Sequence, residues 1–157
     1  MNARAFGLSA LLAGIVMALL GHLPIINLFN CFLCMWVWGG GILAVYLYRR
    51  FNRTAPGDVL SGGQAAGLGA AAGAVGALLG SLVSMAVAAM GISLLPPDLL
   101  NQPDAAPWVE MLSSGSFSVL GVFIDLVLYA IFGALGALLA VKVIWKPRPV
   151  PMPPIEP

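Results

Sequence analysis

The feature that most constrains this chain is a run of eighteen uncharged residues at positions 31–48, CFLCMWVWGGGILAVYLY. As an α-helix this run is about 27 Å long at ~1.5 Å per residue, close to the roughly 30 Å hydrocarbon thickness of a bilayer. Trp36 and Trp38 lie near its start and Tyr46 and Tyr48 at its end, and such amphipathic rings prefer the headgroup region. The run therefore predicts a transmembrane helix.

The whole chain shares the apolar character of this run. Of its 157 residues, 61% are hydrophobic and 8% are charged, whereas soluble domains carry about 25% charged residues. The sequence has no basic face and no base-stacking platform, which excludes nucleic acid as a partner. We expect an integral membrane protein whose main partner is the lipid bilayer.

Three further apolar segments predict an all-α fold, a polytopic bundle of four transmembrane helices with Gly/Ala-rich packing faces. The first segment follows a basic lead as in a signal peptide, but it lacks a small-residue cleavage site, so we expect it to be retained. The tail has a proline at every second or third position, which predicts an extended cytoplasmic segment. The predicted single domain is 1–146, the tail is 147–157, and the helices are about 5–22, 31–48, 62–94 and 117–143.

The basic residues indicate how the chain is oriented. With four spans, all seven fall at one membrane face, and the opposite face carries three carboxylates. Because Lys and Arg concentrate on the cytoplasmic side, we expect a multi-pass protein of a bacterial inner membrane with both termini in the cytoplasm. The seven residues are Arg4, Arg49, Arg50, Arg53, Lys142, Lys146 and Arg148.

The third predicted helix carries a stripe of glycines along one face, spaced four, three and four residues apart, and Ser84 continues that face. Small residues repeated in this way let helix backbones approach closely, as in a glycine zipper. We expect the stripe either to pack within the bundle or to form an association surface for a second copy or another membrane protein. The glycines assigned to helix packing are Gly69, Gly73, Gly76 and Gly80 here and Gly133 and Gly136 on the fourth helix.

This third helix is also longer than one bilayer crossing requires. We expect it to tilt, to project into the cytoplasm, or to be broken near residues 62–63 or Gly91. The turn before it ends at Asp58, and a carboxylate is a typical N-cap, so the sequence predicts that Asp58 caps this helix.

Cys31 and Cys34 form a CxxC pair at the outer start of the second helix, where the helix dipole favours a thiolate. CFLC at this place in a four-helix protein resembles the DsbB family of quinone-linked thiol oxidases, in which such a pair passes electrons to quinone. The resemblance implies a redox role for both cysteines. It also implies a second cysteine pair in the second outer loop and an arginine shortly after the CxxC, and this sequence has neither.

A second resemblance covers residues 25–85. The run NxxNCxxCxWxxxGGxLAxYLYRR, a turn with PGD and a Gly/Ala-rich helix are similar to small bacterial four-helix membrane proteins of unknown function. This resemblance implies a fold and a membrane location, and it implies no activity.

Asp125 is the only acidic residue within a predicted span. An ionised carboxylate there costs ~2.5–3.5 kcal/mol on insertion scales, so such residues usually face the bundle interior and find a partner. Tyr129 is one turn away on the same helix face, and Ser84 is expected at similar depth on the third helix. The three residues form a predicted intramembrane polar site, which is either a hydrogen-bonded Asp that fixes helix register or an ion or proton site.

The chain shows no catalytic equipment, since it has no P-loop, no Ser/His/Asp set and a single histidine. Cys31, Cys34 and His22 supply at most three zinc ligands, fewer than the four of a structural site, so we expect neither a metal nor a cofactor. The leading hypothesis is a non-enzymatic structural or interaction subunit of a membrane assembly. The alternatives are a thiol-redox membrane protein using Cys31 and Cys34, and a small transporter or channel component using Asp125.

Overall fold

The computed structural model describes residues 2–21, 35–52, 60–90 and 119–145, without the side chains of residues 88 and 119. Every regular element in these ranges is helical, which confirms the all-α class. A π-helical turn, in which hydrogen bonds join residues five apart, directly continues the last α-helix. The elements are α1 (Ala3–Gly21), α2 (Met35–Asn52), α3 (Gly62–Ala89), α4 (Val119–Leu139) and the π-helical turn (Ala140–Ile144).

Local hydrogen bonds explain where α1 and α3 begin. The Asn2 side-chain oxygen accepts from the backbone N–H of Arg4 at 3.1 Å. Before α3, Ser61 and Gln64 form a capping box. The Gln64 N–H donates to Ser61 Oγ at 3.3 Å, and the Ser61 N–H donates to Gln64 Oε1 at 3.2 Å. The prediction that Asp58 caps α3 is therefore wrong, because this pair starts the helix three residues later.

The predicted and observed helix bounds agree in order and differ at the ends. The helix α2 continues through Arg49 and Arg50 to Asn52, four residues past its predicted end, because nothing in that segment breaks a helix. The predicted start of this helix at Cys31 and the predicted end of α3 at residue 94 lie outside the described residues.

Three stretches of the described chain are long and apolar enough to cross a membrane: Ala3–Gly21, Gly62–Val87 and Leu120–Ile144. The helix α2 is not among them. Its described part begins at Met35 and ends in a polar group that contains two arginines and an asparagine. The apolar residues that precede Met35 in the predicted span lie outside the described residues.

The four helices pack against one another, with α1 and α4 each in contact with both α2 and α3. Their shared core contains few large side chains; Met17, Leu68, Val37 and Val45 are the largest that are fully buried. Most other buried apolar residues are alanines, such as Ala13, Ala44, Ala65 and Ala72. Small residues leave little side chain between the helices, so the backbones can lie close together.

Large apolar side chains cover the outside instead. All four helices carry large apolar side chains that are more than a third exposed. These are leucine, isoleucine, valine, methionine and phenylalanine residues. In water such a surface would cause association, whereas lipid tails solvate it. The outer surface therefore supports the membrane location that the composition predicts.

Candidate functional site

The glycines of α3 and α4 place the two backbones in direct contact. A Cβ added to Gly69 would overlap the carbonyl oxygen of Gly133, and one added to Gly73 would overlap the carbonyl oxygen of Tyr129. These two pairs give an antiparallel register, because residues advance along α3 as they recede along α4. No side chain larger than hydrogen fits at either position without moving a helix.

The helix α4 approaches α2 in the same way. A Cβ on Gly136 would overlap the backbone carbonyl of Trp38, and one on Gly41 would overlap the carbonyl oxygen of Gly133. The ring of Trp38 lies 6.2 Å from that of Phe132, centroid to centroid. The part of α4 around Gly133 is thus held between α2 and α3.

The predicted glycine stripe of α3 has two neighbours rather than one. Gly69 and Gly73 face α4, while a Cβ on Gly76 would lie 3.1 Å from Met17 Cβ on α1. Gly80 is partly buried. A further glycine that the sequence analysis did not select, Gly14, lies against α3, where a Cβ would be 2.6 Å from Val75 Cγ1.

Asp125 does not face the interior, as the sequence led us to expect, but is exposed on α4. Its neighbours Phe123, Ile124 and Leu128 are 61%, 47% and 43% exposed. None of the hydrogen bonds that the structure shows within the described ranges involves the Asp125 carboxyl. A polar side chain therefore lies in an apolar, outward-facing patch, which we call the outer face of α4 (Leu120, Phe123, Ile124, Asp125, Val127 and Leu128).

The other two members of the predicted polar site lie elsewhere. Continuing the Gly69–Gly133 and Gly73–Tyr129 register places Ala77 opposite Asp125. Ser84 follows Ala77 by seven residues, about 10 Å farther along α3, so it does not share the depth of Asp125. Tyr129 packs partly against the core, and a Cβ on Gly21 would be 3.3 Å from its hydroxyl oxygen.

The depth of Asp125 can be counted from the opposite end of α4. Trp145 and Tyr46 stack there, with ring centroids 6.4 Å apart, as aromatic residues do at headgroup level. Asp125 precedes Trp145 by twenty residues, about 30 Å of helix, which is close to the thickness of the hydrocarbon layer. Asp125 and Trp145 are therefore separated along α4 by about one hydrocarbon thickness.

Cys31, Cys34 and His22 lie outside the described residues. Among the residues that are described, no three His, Cys, Asp or Glu side chains come close enough together to hold a metal ion.

Comparison with known proteins gives no family for this chain. No protein-family model, no curated protein and no solved structure matches it. The features of the molecule that bear on function are the outer face of α4 and the distribution of charge along the four helices.

Proposed function

We propose that this chain is a four-span protein of a bacterial inner membrane, with both termini cytoplasmic, that acts as a structural or interaction subunit of a membrane assembly. The observation that carries the proposal is the exposure of Asp125 among apolar side chains on α4. An ionised carboxylate that faces lipid is unfavourable, by ~2.5–3.5 kcal/mol at the centre of a span and by less near its edge. A neighbouring helix with a matching donor removes that cost.

Two observations support the four-span part of this proposal. The helix α2 packs against both α1 and α4, each of which contains a stretch long enough to cross a membrane. The basic residues Arg49 and Arg50 then lie at its end, as expected for a span that finishes at the cytoplasmic face.

The partner we propose is a different membrane protein with a Lys or Arg near the outer end of one span. The described residues of this chain have their basic side chains, Arg4, Arg49, Arg50 and Lys142, at the opposite end. A second copy would therefore bring one Asp125 to another rather than to a cation. The tightest glycine contacts are already used within the chain, by α2, α3 and α4, which favours the outer face of α4 as the surface for docking.

The alternative functions gain no comparable support. A transporter or channel needs a polar path through its interior, whereas the buried residues that line the described helices are almost all alanine, glycine and larger apolar residues, with Ser9 as the buried polar exception. Ser9 Oγ donates to the carbonyl of Ala5 at 2.6 Å within its own helix. The thiol-redox hypothesis depends on cysteines outside the described residues.

The proposal is tested by extracting the protein from its native membrane in mild detergent and measuring the mass of the complex. We expect the wild-type chain to migrate in a complex well above its own 16.2 kDa. Asp125→Leu should weaken the association constant about tenfold, equivalent to about 1.4 kcal/mol, because the charged contact is lost. Asp125→Asn should retain part of it through the amide oxygen.

Leu12→Ala is the matched control, since Leu12 is 40% exposed on α1 and lies away from the proposed surface. It should leave the complex intact. A complex of unchanged mass and yield in Asp125→Leu would rule out the proposed docking through Asp125.

A further inference from the structure

Among the described residues, four basic side chains lie at one end of the helices. The Asn2 backbone N–H donates to the Tyr48 hydroxyl at 3.2 Å, which joins the start of α1 to the end of α2. The Arg49 guanidinium lies 5.5 Å above the Trp145 ring, which joins the end of α2 to the end of the π-helical turn. The basic residues at this end, all exposed, are Arg4, Arg49, Arg50 and Lys142.

No carboxylate balances this charge within the described ranges. Their one acidic residue is Asp125, which is seventeen residues, about 25 Å of helix, away from Lys142 along α4. An uncompensated group of basic side chains at the headgroup level attracts anionic lipids, by about 1 kcal/mol for each Lys or Arg. Attraction of this general kind would involve all four residues equally.

The π-helical turn affects Arg49 in particular among the four basic residues, because it determines where the Trp145 ring lies. The Trp145 N–H donates to the carbonyl of Ala140, five residues earlier, at 2.9 Å. In an α-helix five residues turn about 140° beyond a full circle, so Trp145 would point away from the side on which Ala140 lies. Because the wider π-turn forms its hydrogen bonds between residues five apart, Trp145 is rotated less far from Ala140, which is fully buried.

The turn therefore brings the Trp145 ring against α2. It stacks on Tyr46 at an interplanar angle of 24°, and Arg49, one turn along α2 from Tyr46, lies over its face. A cation over an aromatic ring is stabilised by about 0.5–1 kcal/mol at an exposed site. The guanidinium also carries five N–H donors in a planar fork that matches the oxygens of a phosphate.

Apolar side chains border this basic end. Phe51 on α2 is 41% exposed, and Val143 and Ile144 in the π-helical turn are 59% and 51% exposed. A free inorganic anion gains nothing from such surroundings, whereas the acyl chains of a phospholipid pack against them. The combination of cation, aromatic ring and apolar border matches a lipid whose headgroup is anionic.

We propose that Arg49, held by Trp145 and assisted by Arg50 and Lys142, binds the phosphate of an anionic phospholipid. The π-helical turn builds the site, because it supplies the ring that fixes the guanidinium. This lipid site lies at the opposite end of α4 from the outer face that we propose for docking, so neither site requires the other.

The test is titration of the purified full-length chain with phosphatidylglycerol in detergent, with bound lipid counted by native mass spectrometry. We expect saturable binding of phosphatidylglycerol and at least tenfold weaker binding of phosphatidylcholine, which has the same phosphate but no net charge. Arg49→Gln should weaken phosphatidylglycerol binding about tenfold.

Arg4→Gln is the matched control, because it removes the same charge from the same end of the molecule but on α1, beside α2 rather than over Trp145. A specific site predicts a loss of no more than about twofold for Arg4→Gln. General surface attraction of about 1 kcal/mol per basic residue predicts equal losses, about fivefold in each variant. Equal losses would overturn the proposal.

Trp145→Leu and Trp145→Phe test the role of the ring. We expect Leu to weaken binding as much as Arg49→Gln and Phe to retain most of it, with unchanged helix content and unfolding temperature by circular dichroism. If Arg49→Gln does not fold, Arg49→Lys keeps the charge and should still weaken binding severalfold. If inorganic phosphate alone bound as tightly as the lipid and displaced it, the site would be one for a free anion. That result would also overturn the proposal.

Discussion

The two halves of α4 are both largely apolar, but they pack very differently. The half that follows Tyr129 contains three buried residues, and an added Cβ at Gly133 or Gly136 would overlap a neighbouring backbone. From residue 120 to residue 128 no residue is buried. The first half carries Leu, Val, Phe and Ile side chains, whereas the second has glycine or alanine at 133, 136 and 137.

This difference shows that side-chain size, not hydrophobicity, decides which surface of a membrane helix is covered. Lipid tails solvate leucine as well as a protein interior does, so apolar character alone drives no contact between helices. Small residues allow the backbones to approach, and the contact then gains dispersion energy along its length. The large residues around Asp125 prevent that approach and leave the carboxyl exposed.

The largest effect is expected from filling the backbone contact in the packed half. Gly133→Ala should destabilise the fold by about 1–3 kcal/mol, since an overpacked site must move a helix. Gly76→Ala should cost less, because a Cβ there would lie 3.1 Å from Met17 Cβ and 3.4 Å from the Gly14 carbonyl oxygen rather than overlap a backbone atom. Unfolding in mixed detergent and sodium dodecyl sulfate micelles, followed by circular dichroism, measures both.

Gly67→Ala is the control for this series, because a Cβ there would meet nothing within 4 Å. It should be neutral or stabilising, by up to about 1 kcal/mol, through the higher helix propensity of alanine. If Gly133→Ala were as stable as Gly67→Ala, the backbone contact between α3 and α4 would not exist.

A smaller effect is expected from a matched pair of phenylalanines, one in each half. Phe132 lies against Trp38 and packs partly on the core, so Phe132→Ala should cost about 1 kcal/mol or more. Phe123 is 61% exposed, and Phe123→Ala should change the free energy of unfolding by less than about 0.5 kcal/mol. Equal losses in the two variants would remove the distinction between the halves of α4.

The general architecture was predictable because lipid imposes strict rules on composition. Long uncharged runs and flanking arginines predicted the order of the helices, and the spacing of the glycines predicted which face of α3 is small. A helical wheel shows which residues share a face of a helix, however, but not which other helix packs against that face. It could not show that Gly76 faces α1 while Gly69 and Gly73 face α4.

Three details could not be predicted for identifiable physical reasons. Asp58 was chosen as a cap on residue type alone, although Ser61 and Gln64 satisfy each other reciprocally. Asp125 was expected to face the interior because we assumed that its hydrogen-bond partner lies in the same chain. The position of Trp145 depends on a π-helical turn, and a pattern analysed at 3.6 residues per turn assigns it to the wrong side.

The central claim, that the outer face of α4 docks another protein, can be tested most directly by site-specific photo-cross-linking in intact membranes. A photoreactive residue replaces either Leu128 or Leu135, which are 43% and 40% exposed and lie two turns apart on the same side of α4. We expect a discrete protein adduct from position 128 that is lost in Asp125→Leu, and only lipid adducts from position 135. Lipid adducts alone from both positions, or the same protein adduct from both, would contradict the claim.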